Sequence, residues 1–364
     1  MFLYSVIGVL YAIFALIARS KDRKTCFIAL VPLFVIVAFK DLSVGNDTLN
    51  YFKTFTGISY CNTFADALQR SRMEIGFVFV NFVLSKLGFS YFMFQVAVSS
   101  FIFISLYIFL RNYSENAFLS VYIFYIFRMM FSCMVAMRVW IAISVLMYSI
   151  TALREKKIKK FILLCIIAST FHTTAILFVF IYPITIASKR KKGYMYYLII
   201  CMVLSAIGKP FFTLLTNEIG KYQGYVDSEY FNSTNKTAAF FTLLIDVCFL
   251  VLYYLTYIKD KETTDIQSDS IAEFTLEKIY LSALFIGIGL DLIGLNNNIM
   301  DRLSIYFRFL LIISIPYMFN NIKGKNGIIT RMIILLFLFI QFWIVMYFRP
   351  QWNNVIPYRF FFNN

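Results

Sequence analysis

Six short stretches of the chain concentrate residues able to hold charge or move protons. Gly45-Asn46-Asp47-Thr48-Leu49-Asn50-Tyr51 places a carboxylate, a hydroxyl and a phenol directly after an apolar run. Asp47 there can cap the helix that follows, or accept a proton or hydrogen bond from a bound hydroxyl. Glu74-Ile75-Gly76-Phe77 opens another apolar run with a carboxylate. A helix macrodipole favours that placement, and a carboxyl raised by burial would also suit acid–base work. Arg138-Val139-Trp140-Ile141-Ala142 puts a cation where a helix start disfavours one, so a partner carboxylate or a ligand diphosphate must offset it.

His172 is the one histidine in the chain, at Ser169-Thr170-Phe171-His172. A zinc ion needs several ligands, so the choice lies between a satisfied polar residue and an acid–base group. Asp301-Arg302-Leu303-Ser304-Ile305-Tyr306-Phe307-Arg308 holds two arginines, with Arg302 and Tyr306 on one face of a continuous helix. Two guanidinium groups fit a diphosphate clamp, and an ion pair with Asp301 is the rival reading. The tail Trp352-Asn353-Asn354-Val355-Ile356-Pro357-Tyr358-Arg359-Phe360 is aromatic, which suits anchoring at a membrane interface or stacking on a ring.

The elements that must position these residues are helices in a membrane. Of 364 residues, 60% are hydrophobic, 20% aromatic and 15% charged. Soluble domains carry about 45–50% apolar and about 25% charged residues, so the departure points to lipid. Apolar runs recur from Phe2 to Phe348 with short polar breaks. The expectation is an all-α, polytopic helical bundle of roughly 11–13 transmembrane or half-membrane segments. No polar block is long enough for a soluble domain, so residues 1–364 read as one transmembrane domain.

The net charge of +15 falls in short clusters at Arg19–Lys24, Arg154–Lys160 and Lys189–Lys192. That is the positive-inside pattern of a bacterial-type inner or plasma membrane protein, with no basic arm for nucleic acid. The six cysteines form no CxxC pair, which excludes a disulfide framework and a zinc site and leaves no metal or cofactor to expect. The first run, Phe2 to Ala18, has no basic start and is followed by the first cluster, which favours an uncleaved span over a signal peptide.

With the clusters inside, residues 41–73, 132–138, 171–174, 210–236, 296–301 and the tail from Tyr347 lie outside. Residues 75–88 are then a short run that dips in and returns. Residues 158–187 either cross twice as two half-length helices, or form one long helix around a buried His172. In the first case His172-Thr173-Thr174 is the polar tip of an external cavity.

The order of these motifs resembles the EpsG-like branch of the Wzy-type polysaccharide polymerases, over nearly the whole chain. The pattern is Gly-x-Asp-Thr-x-x-Tyr, Glu-x-Gly-Phe, Arg-Gln-x-Ile-Ala, Ser-x-Phe-His, Arg-x-x-x-Tyr-Phe and Pro-Tyr-x-Phe. The glutamine of the third motif is Val139 here. The resemblance implies a membrane glycosyltransferase that joins polyprenyl-diphosphate-linked oligosaccharide repeat units into O-antigen, capsule or exopolysaccharide on the outer face, without a metal. It implies Asp47, Glu74 or His172 as the base, in that order. Arg138, Arg302 and Arg308 would bind the diphosphate, and Tyr51, Tyr306 and Tyr358 are further contacts for diphosphate or sugar. Membrane lipid, a flippase and a chain-length regulator are the implied partners. The competing readings are a flippase or transporter for the same lipid-linked sugar, an O-antigen ligase or membrane acyltransferase, and a structural membrane subunit. No internal repeat of the kind found in many transporters is present.

Overall fold

The computed structural model describes residues 2–17, 22–187, 195–204, 237–263, 274–295, 302–322, 325–350 and 353–362; the side chains of 237–239, 254–263, 302, 325 and 326 are not among them. Asp301, Trp352, the cluster at 189–192 and the segments 210–236 and 296–301 therefore lie outside the described residues. Within them the chain is all helix apart from one isolated β-bridge between Lys40 and Phe360. It is an all-α bundle of membrane type.

Among the described residues, three helices are long and apolar enough to cross a membrane: Tyr91–Tyr113, Met137–Arg154 and Gly327–Phe348. Ala117–Ile126 and Met129–Val135, bent by 59° to each other, pass the same test together, as a broken span or a re-entrant loop. Other apolar helices are shorter, among them Ile75–Lys86 and Thr173–Ala187. At about 1.5 Å per residue, such helices reach only part of the way through a hydrocarbon core of about 30 Å. Among the described residues there are thus fewer full crossings than apolar runs, because polar breaks cut the runs short.

The helices gather into two compact units. The first comprises Met1–Ala152, Lys157–Ile176 and Ile315–Asn364. In it α1 (Phe2–Ile17) packs on α7 (Ala117–Ile126), and α2 (Arg23–Ala38) packs on α6 (Tyr91–Tyr113). Asp22 caps α2, its carboxylate accepting from the Thr25 N–H at 2.6 Å. Ser90 caps α6 through the Met93 N–H. Helix α7 is buried all round, as its unbroken apolar sequence requires.

The expected external loop 41–73 contains two helices, α3 (Thr48–Ser59) and α4 (Phe64–Arg70). Thr63 and Asp66 form a reciprocal capping box that starts α4. Ile58, Cys61, Ala67 and Val78 bury themselves between α3, α4 and α5 (Ile75–Lys86), so this layer is packed rather than loose. Helices α8 (Met129–Val135), α9 (Met137–Arg154) and α10 (Ile158–Phe171) complete the part of the unit that matters for the site, with α10 against α5.

The second unit comprises Leu153–Lys156 and Leu177–Ser314. Its described helices include α11 (Ile181–Ala187), α12 (Met195–Leu204), α13 (Thr237–Thr263) and α14 (Leu276–Gly294), with α14 packed against both α11 and α13. Arg302–Ser304 is a 3-10 turn leading into the short α15 (Ile305–Arg308). The stretch 302–308 is therefore a 3-10 turn followed by a short α-helix, where one continuous α-helix was expected. Tyr306 is buried at 1% exposure. Helix α16 (Leu311–Asn321) and the long α17 (Lys325–Phe348) follow.

Between α10 and the 3-10 helix Thr173–Phe180, His172 takes an extended backbone, φ −152 and ψ 113. Residues 158–187 are thus two short pieces meeting at His172. The single-helix alternative is excluded.

Candidate functional site

Helix ends meet in the first unit, and charged side chains reach each other there because none has to lie mid-span. Arg138 is the second residue of α9 and Glu74 immediately precedes α5. The Arg138 guanidinium and the Glu74 carboxylate form an ion pair, with side-chain exposures of 23% and 16%. The other carboxylate oxygen, Oε1, accepts from the Thr173 N–H at 3.4 Å and lies 3.5 Å from the Thr173 hydroxyl. The buried Tyr51 also interacts electrostatically with the same guanidinium. The Nε–H of Arg138 is buried without a protein partner.

Burial alone would raise the Glu74 carboxyl, but the Arg138 cation, backbone N–H donation and His172 hold it below its ordinary value. Glu74 is therefore an anion here, and the raised carboxyl that acid–base work would need is not found. Burial lowers His172, aided by Arg138 and opposed by Glu74, so the ring is neutral near pH 7. Its Nδ1 lies 2.8 Å from the Thr174 hydroxyl. Glu74 also makes no capping bond to α5, because its oxygens are taken by Arg138 and Thr173.

Two glycines let these breaks close up. A Cβ on Gly76 would fall 2.4 Å from Thr170 Oγ1 and 2.9 Å from the Thr170 carbonyl oxygen. Only a glycine lets α5 abut the end of α10, which brings Glu74 to Thr173. Gly45 has φ +98, and a Cβ there would lie 2.8 Å from Thr48 Oγ1 and 3.0 Å from the Met134 carbonyl oxygen. The Asp47 loop is thereby seated against the end of α8, a few residues before Arg138.

Asp47 occupies the N-cap of α3 but makes no capping hydrogen bond. The capping role favoured from sequence fails because its backbone is helical, φ −98 and ψ −3, where a cap needs an extended one. Its charge acts on Tyr51, which links it to Arg138. The structure thus assembles Asp47, Tyr51, Arg138, Glu74 and His172, which are far apart in sequence, within one unit.

The remaining candidates sit elsewhere. In the second unit Arg308 Nε donates to Asp246 Oδ2 at 3.0 Å, and its Nη2 donates to Asp291 Oδ2. Both carboxylates are buried, at 2% and 0% exposure. They compete with any phosphate for Arg308. The side chain of Arg302 is outside the described set. Tyr358 donates its hydroxyl to the Ile36 carbonyl at 2.8 Å, so the tail packs on the bundle.

Sequence reasoning passed over Lys40, Asp246 and Asp291. Each is an ionisable residue within or at the edge of an apolar run, and that isolation was the signal available. Among the described residues no group of histidine, cysteine, aspartate and glutamate could hold a metal ion.

The family model described as EpsG family matches residues 23–360. No curated protein and no solved structure matches the chain.

Proposed function

Because the chain belongs to the EpsG family, we propose that it polymerises polyprenyl-diphosphate-linked oligosaccharide repeat units into O-antigen, capsule or exopolysaccharide. Family membership supports a membrane protein of polysaccharide-polymerase type. The Tyr51–Arg138–Glu74–Thr173 constellation, with Asp47 and His172 beside it, is the single observation that carries the finer reading. In this reading the site opens on the extracytoplasmic face, where lipid-linked repeat units are displayed.

The reaction is glycosyl transfer. An acceptor hydroxyl oxygen attacks the anomeric carbon of the donor sugar, the bond from that carbon to the diphosphate oxygen breaks, and the lipid diphosphate leaves. Arg138 stabilises charge growing on the leaving group, using the Nε–H that no protein atom engages. Glu74 and Tyr51 hold the guanidinium in place, as positioning residues. The acceptor proton passes to His172 or Asp47. A neutral imidazole has a lone pair to receive it, whereas Glu74 is committed to its ion pair. Arg308 is retained by its two aspartates.

The test is complementation of a strain lacking the protein. Wild type restores long polymer, while Arg138→Lys, which keeps the charge but loses the planar fork, yields single repeat units at normal protein abundance. Full-length polymer from both Arg138→Lys and Arg138→Ala removes Arg138 from the chemistry. Repeat units stranded on the inner face would instead support a flippase.

A further inference from the structure

Two sets of contacts grip the loop that carries Asp47. The first is Lys40, a lysine at 1% exposure. Its Nζ donates to the Val44 carbonyl at 3.1 Å and to Thr48 Oγ1 at 2.5 Å, while Thr48 Oγ1 donates to the same carbonyl at 2.6 Å. The ammonium thus ties together the two residues that flank the Gly45–Asp47 turn. Gln95 Nε2 holds the backbone beneath it, donating to the Ala38 and Lys40 carbonyls at 3.0 and 2.9 Å.

The second is the chain's end. The Gly45 N–H donates to the Asn354 carbonyl at 2.8 Å, and Asn354 Nδ2 donates to the Ser43 carbonyl at 3.4 Å. The Asp41 N–H donates to the Arg359 carbonyl, and the Phe361 N–H to the Phe39 carbonyl. Phe361 then stacks on Phe92 with ring centroids 4.1 Å apart. Asn354 itself has φ +47, a left-handed conformation that asparagine and glycine accept and β-branched residues resist.

A buried ammonium is a costly way to fill space, and an apolar side chain of similar volume would stabilise the bundle as well or better. The cost makes sense where a donor is needed at a fixed point. We infer that Lys40 and Asn354 are positioning residues for the Asp47 loop, gripping it across Val44–Thr48 and at Ser43–Gly45, so that the site is complete only with the C-terminal segment in place. The inference rests on the functional reading above and extends it to residues that never touch substrate.

The experiment compares wild type with Lys40→Met, Asn354→Val and Asn354→Gly, all in the full-length chain in nanodiscs. Amide exchange over residues 41–50 reads the loop, and polymer length in the complemented deletion strain reads activity. Losing both Nζ hydrogen bonds predicts exchange in Lys40→Met faster by about tenfold, with shortened polymer and an undiminished melting temperature. Asn354→Val should behave alike, and Asn354→Gly, which accepts the left-handed backbone and keeps the Gly45 bond but loses the one to Ser43, should fall between Asn354→Val and wild type, which a general packing defect would not produce. Unchanged exchange over 41–50 in both Lys40→Met and Asn354→Val overturns the inference, as does full-length polymer from both. Failure of the functional reading looks different: Asp47→Asn and Arg138→Lys would then make full-length polymer.

Discussion

Glu74 and Arg138, 64 residues apart, form an ion pair that joins the start of α5 to the start of α9. Each helix start carries partial positive charge, so Arg138 sits where its own helix disfavours it and Glu74 where both helices favour it. The pair is only partly exposed, and water screens it incompletely. One carboxylate thus offsets a guanidinium and two helix ends.

The pair should show as a coupling. Glu74→Gln and Arg138→Gln, singly and together, are expected to give an interaction energy of about 0.5–3 kcal/mol in a double-mutant cycle on unfolding in detergent. Glu74→Gln should also shorten polymer, because the released guanidinium loses its fixed direction. Strictly additive single effects would show that the two side chains do not act as a unit.

Gly76 packs α5 tightly against Thr170 near the end of α10. Gly76→Ala places a methyl group against both the side chain and the backbone of Thr170. Overpacking of this kind costs about 1–3 kcal/mol, and it pushes Glu74 away from Thr173. Adding Thr170→Ala removes the hydroxyl clash but leaves the carbonyl, so stability should recover only in part. Melting temperatures of the three variants check this. A Gly76→Ala protein as stable and active as wild type would mean the helices separate freely.

Much of this was legible in the sequence. The apolar runs required a helical membrane bundle, and the scarcity of charge marked Asp47, Glu74, Arg138 and His172. Polarity at His172 also marked the break between two short helices. The partners were not legible. Nothing in the spacing says that Glu74 meets Arg138, because that contact depends on the Gly76–Thr170 approach and on breaks at Ala136 and His172. The partners of Arg308 were hidden for a similar reason: a phosphate ligand and two remote carboxylates satisfy a guanidinium equally well on paper. Asp246 and Asp291 come from other helices, and only the packing selects them. Lys40 looked like the charged end of a span until its donors were traced to Val44 and Thr48.

Three groups in the breaks between helices set a pH response. Glu74 and His172 are held below their ordinary values, and burial draws Lys40 down to about 7 against the pull of Asp41. In each case the unfolded chain binds the proton more tightly, so stability rises with pH between the folded and unfolded values. For Lys40 that window runs from about 7 up to the unperturbed value of about 10.4. For His172 stability is lost as pH falls below about 6.5, and for Glu74 as it falls below about 4.3. Melting temperature should therefore decline stepwise on acidification from pH 10. Lys40→Met, His172→Gln and Glu74→Gln should each flatten their own step. A His172→Gln curve parallel to wild type between pH 5 and 7 would show that the ring is solvated in the folded protein.

Arg308 supplies the sharpest contrast with Arg138. Its guanidinium donates to Asp246 and Asp291, and both carboxylates are nearly inaccessible. Removing only the cation leaves two anions buried beside each other, and breaking such a network costs about 3–5 kcal/mol. Arg308→Met should therefore sharply lower the amount of folded protein in the membrane. Neutralising all three groups together, as Arg308→Met with Asp246→Asn and Asp291→Asn, removes the uncompensated charge, and abundance should return. Polymer should return with it if the arginine serves the fold. Arg138→Lys is expected to show the reverse pattern, normal abundance without polymer. An abundant but inactive triple variant would show that Arg308 serves more than the fold of its own unit.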